Sequence, residues 1–325
     1  MDFDREATTA RVREWQYLTG ADFEAMDRAE TVAMVSCSPL EVHGPHLPVI
    51  TDNHEAEGLS LRVMELMCER MSDIEFVHLP PIYVATDVLP HPGSVAFRPS
   101  TLVRVLEDLG RSLARQGFRH LWVNSFHGGP RHFLSIEMAA DKVWKRWGMN
   151  MISVFSLMIT KLTDGSSDLK NVLGELEGLS PEALEGDTHG GTVETSMMLH
   201  LLGDRVKPHA HLPRITVDRD LAAAGKPPLR QGENVLQTVR AFKELLHFFA
   251  RRSYAGDPAL ASAETGRHMV ELLAKESADA LESVYRGRIT PDDAHSPLWG
   301  LRHVLTQPLI AAAFEKAIGF ENPIF

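Results

Sequence analysis

Short apolar runs alternate with longer amphipathic segments along most of the chain. Four of the runs are brief and rich in β-branched, aromatic or other large apolar residues, which is typical of buried strands. We therefore expect strands at Thr31–Ser36, 76–84, 121–124 and 151–157. Two adjacent prolines interrupt the second of these runs, so this strand is expected to be broken.

Apolar residues recur at helical spacing in the segments between and after these runs. In the segment 100–117, Leu102, Leu106 and Leu109 belong to one apolar stripe, and Gly117 is a typical residue at a helix end. The predicted helices are a short one within residues 8–27 and others at 54–71, 100–117, 131–147, 197–202, 235–251, 259–285 and 304–318.

Strands that alternate with helices predict a mostly parallel sheet covered on both faces, which is an α/β fold. In such sheets, ligands bind beyond the carboxyl ends of the strands. The polar loops that follow the strands at Thr31–Ser36 and 121–124 are therefore expected to meet at a functional site.

The composition restricts the classes of partner. Apolar residues make up 44% of the chain and charged residues 24%, and the net charge of −11 comes from 44 acidic and 33 basic residues. This balance argues against a nucleic acid partner and against a basic membrane-binding surface. Four of the first six residues are charged where a secretion signal would be apolar, and no apolar run approaches the roughly 18 residues of a membrane span. We expect a cytoplasmic protein.

The loop after the first strand carries candidate metal ligands. Glu41 and His43 are two residues apart, so on an extended backbone their side chains point the same way. Prolines and a glycine then bend the chain, which can bring Asp52 back to the same place. Carboxylates and an imidazole at one point suit zinc, manganese or iron. The alternative is a turn with three solvated polar residues.

Two later segments carry further candidate residues. His127 follows the strand at 121–124, inside the stretch Asn124-Ser125-Phe126-His127-Gly128-Gly129-Pro130. His189 and Glu194 flank a glycine-rich turn at a predicted helix start, where both can face a cleft. The alternative role for Glu194 is to complement the helix dipole. The polar stretch 162–187 is either a lid over the substrate or a tolerated surface insertion.

These blocks resemble the creatininase family of metal-dependent amidohydrolases. The segment Glu41-Val42-His43-Gly44-Pro45-His46-Leu47-Pro48 with Asp52 looks like the family's first loop, and 124–130 is similar to its Asn-Gly-His-Gly-Gly-Asn loop. His189-Gly190-Gly191-Thr192-Val193-Glu194-Thr195-Ser196 is similar to a third block. The resemblance covers roughly residues 30–285, which suggests an approach segment at 1–30, a metallohydrolase domain at 31–285 and a helical extension at 286–325.

The resemblance implies a three-layer αβα sandwich with two divalent metal ions. The expected ion is Zn²⁺, and the same residues also suit Mn²⁺ or Fe²⁺. Carried over by position, Glu41 and His127 would bind one ion, His43 and Glu194 would bind the other, and Asp52 would bridge them. Such a pair can hold a hydroxide and polarise a carbonyl, which is the chemistry of C–N bond hydrolysis in a small amide or cyclic amide.

Other roles follow from the same resemblance. His189 has no metal assigned to it and is expected to carry a proton to the leaving nitrogen. Arg131 and His132 are candidate substrate contacts, the substrate is expected to be a small molecule, and the chain is expected to form a homo-oligomer.

The sequence also departs from the family pattern. At the position of Gly129, creatininase itself has a Glu, and Pro130 replaces the usual Asn of the family. The substrate loop of creatininase also contains Trp, whereas residues 157–188 contain none. Creatinine is therefore not expected to be the substrate. Two alternatives stay open: ring opening of a cyclic ketone or lactone, and a metal-binding relative without turnover.

Overall fold

A parallel five-stranded sheet forms the centre of the protein in the computed structural model, which describes residues 11–163, 179–180, 182–229 and 235–320. Each strand pairing is parallel, and the order across the sheet is β1-β3-β2-β4-β5. The strands are β1 (Val12–Glu14), β2 (Thr31–Ser36), β3 (Glu75–His78), β4 (His120–Asn124) and β5 (Asn150–Ser153).

Helices cover both faces of this sheet. The α-helices in the described part of the chain are α1 (Gly20–Ala25), α2 (Thr51–Arg70), α3 (Pro99–Arg115), α4 (Pro130–Trp147), α5 (Val154–Thr163), α6 (Thr192–Leu202), α7 (Val217–Ala223), α8 (Val235–Phe249), α9 (Ala263–Tyr285), α10 (Arg302–Leu305) and α11 (Pro308–Ala317). Short 3-10 helices lie at Trp15–Tyr17, Gly203–Arg205, Pro258–Leu260, Pro291–Ala294 and Trp299–Leu301. None of the described helices is long and apolar enough to cross a membrane.

Alternate residues of β2 belong to two separate cores. Val32 and Met34 pack with α2, α6 and α9 on one face of the sheet. Ala33 and Val35 pack with α3 and α4 on the other face. A strand that is apolar on both sides needs helices on both sides, because successive side chains point to opposite faces. The three-layer αβα fold with a parallel sheet is thereby confirmed.

The chain changes direction across the sheet at β2. It runs from β2 through α2 to β3 on one side, and then through α3 to β4 on the other side of β2. The connections that follow the neighbouring strands β2 and β4 therefore run in opposite directions, which leaves a crevice at the carboxyl ends of these two strands. This is the position at which open α/β sheets bind ligands.

Most predicted elements are confirmed, with differences that have local causes. The strand expected at 151–157 was wrong beyond Ser153, because α5 begins at Val154 inside the same apolar run. A short buried run has no periodicity that separates strand from helix. The strand expected at 76–84 ends at His78, before the two prolines. Pro308 divides the helix expected at 304–318 into α10 and α11.

Three further observations bear on the sequence predictions. The segment expected to contain only a short helix, 8–27, also contributes β1, which pairs with β3. Helix α2 begins at Thr51, three residues earlier than expected, so Asp52 lies in its first turn. Most of the stretch 162–187, at 164–178 and at 181, lies outside the described residues, so its predicted role as a lid or an insertion stays a prediction.

Helices α6 and α9 approach closely at one glycine. A Cβ atom at Gly266 would lie 1.8 Å from the backbone oxygen of Ser196. A hydrogen bond between the same segments, from the Ser262 amide to Ser196 Oγ at 3.2 Å, fixes this approach. Only glycine fits at this position because the obstructing atom belongs to the backbone and cannot rotate away.

We predict that Gly266→Ala lowers the free energy of unfolding by about 3 kcal/mol or more, the upper part of the range for overpacked sites. Gly203→Ala is the matched control, since a Cβ atom there meets nothing within 4 Å, and it should change stability by less than about 0.5 kcal/mol. Urea unfolding followed by circular dichroism measures both. Equal stability of the two variants would show that α6 and α9 are farther apart than described.

Candidate metal centre

The structure brings together the five side chains that the sequence predicts as metal ligands. Glu41 and His43 lie in the loop after β2, and His127 lies in the loop after β4. Asp52 and Glu194 lie in the first turns of α2 and α6. Two loops at the sheet edge and two helix starts therefore converge on one point.

The five residues form two groups that share Asp52. In one group, His127 Nδ1 lies 3.1 Å from Glu41 Oε2 and 3.8 Å from Asp52 Oδ2. In the other, His43 Nε2 lies 3.3 Å from Asp52 Oδ1 and 3.6 Å from Glu194 Oε2. Within each group, the possible ligand atoms lie within 4.8 Å of one another. Asp52 thus offers one carboxylate oxygen to each group.

Backbone carbonyls fix the tautomer of both imidazoles. His43 Nδ1 lies 3.0 Å from the carbonyl oxygen of Glu41, and His127 Nε2 lies 3.1 Å from that of Thr86. A carbonyl only accepts, so each of these nitrogens carries the hydrogen. The opposite nitrogens therefore turn their lone pairs toward Asp52, as they do in histidines that bind metals.

Backbone amides hold two of the carboxylates. The Leu89 amide donates a hydrogen bond to Glu41 Oε1. The Gly190 amide donates to Glu194 Oε2 at 2.5 Å. Gly190 has a φ of 56°, in the left-handed region that favours glycine, and a Cβ atom there would lie 3.2 Å from the backbone carbon of His43. The glycine in this motif thus serves both the turn and the orientation of Glu194.

Several polar atoms at the centre of the cluster are buried without a hydrogen bond. Glu41 Oε2, His43 Nε2 and Asp52 Oδ2 have no hydrogen-bonding partner in the described protein, and all three residues are at most 1% exposed. Such atoms are costly unless something binds them. Carboxylate oxygens and imidazole nitrogens are the donors that zinc and similar divalent ions prefer, so the residues present fit a divalent metal.

The raised pKa values of His43 and His127 indicate a negative electrostatic potential at the cluster. Burial alone lowers the pKa of His43, but the carboxylates of Asp52 and Glu194 raise it to about 10. Burial likewise opposes charge on His127, whose pKa Glu41 and Asp52 raise to about 9. A proton and a metal ion compete for the same lone pairs, so a potential that attracts one also attracts the other.

His189 lies against the ligand cluster. Its ring stacks on that of His43 with centroids 4.0 Å apart, and its Nε2 lies 3.0 Å from the carbonyl oxygen of Val42. Burial and the neighbouring His43 place the pKa of His189 well below its usual value. It also forms a third group of possible ligand atoms with Glu41 and His43. The ring is therefore neutral, and the lone pair of Nδ1 can accept a proton or bind a metal ion.

The two candidate substrate contacts have partners within the protein. His132 is completely buried behind His127, with ring centroids 5.2 Å apart, and its Nε2 lies 3.0 Å from the carbonyl oxygen of Cys37. Arg131 is paired with Asp87, and its Nη1 lies 3.6 Å from Glu315 Oε1 of α11. Both side chains thus contact the residues that surround the cluster.

Sequence reasoning missed two residues near the centre. Glu55 lies one turn after Asp52 on α2, is completely buried, and neither carboxyl oxygen has a hydrogen-bonding partner among the described residues. Burial and the charges of Glu194 and Asp52 raise its pKa well above the usual value. Its spacing from Asp52 was the available signal, because residues three apart share a helix face.

His46 is the second residue that sequence reasoning missed. Its Nε2 lies 2.8 Å from Thr195 Oγ1, and this contact joins the loop after β2 to α6.

Comparison with known proteins finds a relative in sequence and solved structures with a similar fold. A curated protein of Mycolicibacterium smegmatis, the mycofactocin precursor peptide peptidase, is 25% identical over 256 residues, which cover 77% of this chain and 84% of that protein. A structure described as "Creatininase Mn" has 21% identity and a TM-score of 0.60, over 84% of this chain and 98% of that one. A creatininase mutant of "Zn-Zn type" has 20% identity and a TM-score of 0.56 over the same shares.

A sequence model of a whole family matches most of the chain. The family is described as "Creatininase: Creatinine amidohydrolase", and the match extends over residues 16–281. It therefore includes both loops at the sheet edge and the starts of α2 and α6. The chain belongs to the creatininase family, and it is a metal-dependent amidohydrolase.

Proposed function

We propose that the protein hydrolyses the C–N bond of a small amide or cyclic amide at a centre of two divalent metal ions. The observation that carries this proposal is the pair of three-residue groups joined by Asp52. Glu41, Asp52 and His127 would hold one ion. His43, Asp52 and Glu194 would hold the other.

The donor set of nitrogen and oxygen atoms suits zinc, and manganese or iron also fits. The manganese and zinc forms of creatininases that share this fold support the choice. When bound, two such ions would supply an activated water and a Lewis acid for the amide carbonyl.

The remaining chemistry falls to the chain's own residues. Since Nε2 of His189 donates to the Val42 carbonyl, Nδ1 is the atom that can accept a proton and deliver it to the leaving nitrogen. The stacking on His43 holds this ring beside the ligand cluster. The peptidase from Mycolicibacterium smegmatis supports an amide bond as the target.

We also propose a cytoplasmic homo-oligomer. Both cysteines, Cys37 and Cys68, are free and buried, as expected in a reducing compartment. Leu309 is 84% exposed, and Leu301, Val304 and Ile310 nearby are also exposed on the C-terminal helices. Apolar patches of this kind mark interfaces, so sedimentation should show an oligomer. A monomer at micromolar concentration would contradict this proposal.

The shared position of Asp52 predicts an ordered loss of metal. After dialysis, the wild-type chain should retain about two equivalents of metal, Glu194→Ala about one, and Asp52→Ala less than one, because only Asp52 belongs to both groups. The loss of affinity in Asp52→Ala should exceed the roughly 10–100-fold effect of changing a residue outside the ligand set. Elemental mass spectrometry measures the metal content.

Glu57→Ala on the same helix is the matched control for this series, since Glu57 contacts His78 and belongs to neither group. It should retain the wild-type metal content. Equal losses in Glu194→Ala and Asp52→Ala would argue for a single ion, and full retention in both would remove the metal assignment.

His189→Ala should keep both ions and lower kcat by roughly 10²–10⁴-fold, the usual contribution of a positioned acid or base. His211→Ala is the control, because His211 is exposed on the surface. Hydrolysis of an amide panel and metal content are measured on the same samples. Loss of metal from His189→Ala would instead identify His189 as a ligand, as its third group with Glu41 and His43 allows.

A further inference from the structure

A cavity of about 360 Å³ opens directly beside the metal centre. His189 and Glu194 lie among its lining residues, so the cavity and the ligand cluster share one space. Its volume is at the lower end of the roughly 300–1,000 Å³ that small-molecule sites occupy. It is therefore large enough for one substituent of a substrate whose reacting bond lies at the metals.

Three helices contribute apolar residues to the walls of the cavity. Phe155 and Met158 come from α5, Met269 and Leu273 from α9, and Leu59 from α2. Met269 and Leu59 are buried members of the main core on this face of the sheet. The walls therefore belong to a packed scaffold, and a group that enters the cavity is removed from water.

The charges at the cavity are all negative. No Lys or Arg is among the described residues that line it, whereas Asp187, Glu194 and Glu276 are. The Asp187 carboxylate is already bound within the protein, because it accepts hydrogen bonds from the Thr192 and Val193 amides at 2.6 and 3.0 Å. Glu276 forms no ion pair with any described residue and is half-buried. An anionic substituent near Glu276 would meet its carboxylate, and no Lys or Arg among the described lining residues would offset the repulsion.

We propose that this cavity is the specificity subsite of the enzyme and accepts an apolar, uncharged or cationic substituent of the amide substrate. This proposal rests on the proposed amide hydrolysis. It excludes amides with a carboxylate at that end, because like charges in a poorly solvated space repel. It also disfavours small polar amides as substrates, because they leave the apolar walls of the cavity unfilled.

Four substrates with the same amide test the subsite. Acetamide lacks the apolar group, phenylacetamide carries it, and para-carboxy and para-aminomethyl phenylacetamide add a negative or a positive charge. We expect kcat/KM to rise about 10-fold or more from acetamide to phenylacetamide, the scale of discrimination by an apolar pocket. The para-carboxy compound should fall about 10-fold or more below phenylacetamide, and the para-aminomethyl compound should not.

Variants of lining residues from α5 and α9 test whether this preference arises in the cavity. Met158→Lys and Leu273→Lys should each lower the phenylacetamide-to-acetamide ratio about 10-fold, and Glu276→Lys should invert the order of the two charged compounds. Tyr17→Lys is the control on the exposed surface, since Tyr17 is 77% exposed, and it should leave all ratios unchanged. Circular dichroism confirms folding. Because ratios are compared within each variant, a general loss of activity does not change the result.

The outcomes separate the subsite from the reaction. Hydrolysis of all four amides at similar kcat/KM, or ratios unchanged in the wall variants, overturns the subsite and leaves the hydrolase intact. If the wild type hydrolyses no amide, the proposed reaction fails, and the subsite is measured by the binding of benzyl alcohol in ligand-observed NMR. Binding that weakens about 10-fold in Met158→Lys but not in Tyr17→Lys supports the subsite. Absent or unaltered binding overturns it.

Discussion

The burial of one carboxylate between two imidazoles determines how the rest of the site is arranged. Asp52 is 1% exposed and directs its two oxygens toward His43 and His127. A buried carboxylate is stable only with a cation or several donors around it. Each imidazole donates its other N–H to a backbone carbonyl, so the nitrogen that faces Asp52 is left to hold either a proton or a metal ion.

The fold supplies this arrangement through the reversal of the chain at β2. The loops after β2 and β4 leave neighbouring strands at the same edge of the sheet, and α2 and α6 begin above that edge. The site is thus assembled from four distant parts of the sequence, each fixed by a buried element. Gly266 shows how closely these elements are packed, since α9 holds α6 in place at a distance that admits no side chain. The position of Glu194 therefore depends on the packing of Ser196, two residues further along α6, against α9.

The sequence predicts the parts of this structure that have a regular pattern or a distinctive motif. Strand β2 was predicted at its observed bounds, because a run such as Val32 to Val35 is apolar on both sides. Glu41, His43, Asp52, His127 and Glu194 were named from motif resemblance and lie together in the structure. The start of α5 at Val154 was missed, since the apolar run that contains it shows no period. The burial of His132 was missed too, because burial depends on tertiary packing, which no local pattern reports.

The charge balance of the centre gives the two-metal proposal a physical basis independent of the motifs. Glu41, Asp52, Glu55 and Glu194 place four carboxyl groups in one region, and the first three are at most 1% exposed. With Glu55 protonated and both imidazoles bound to metal as neutral rings, Glu41, Asp52 and Glu194 carry three negative charges, which a single divalent ion does not balance. Glu55 is outside both ligand groups, yet burial and the charges of Asp52 and Glu194 raise its pKa. Metal ions at Asp52 and Glu194 would offset the repulsion that these two carboxylates exert on Glu55, so metal binding would lower the pKa of Glu55.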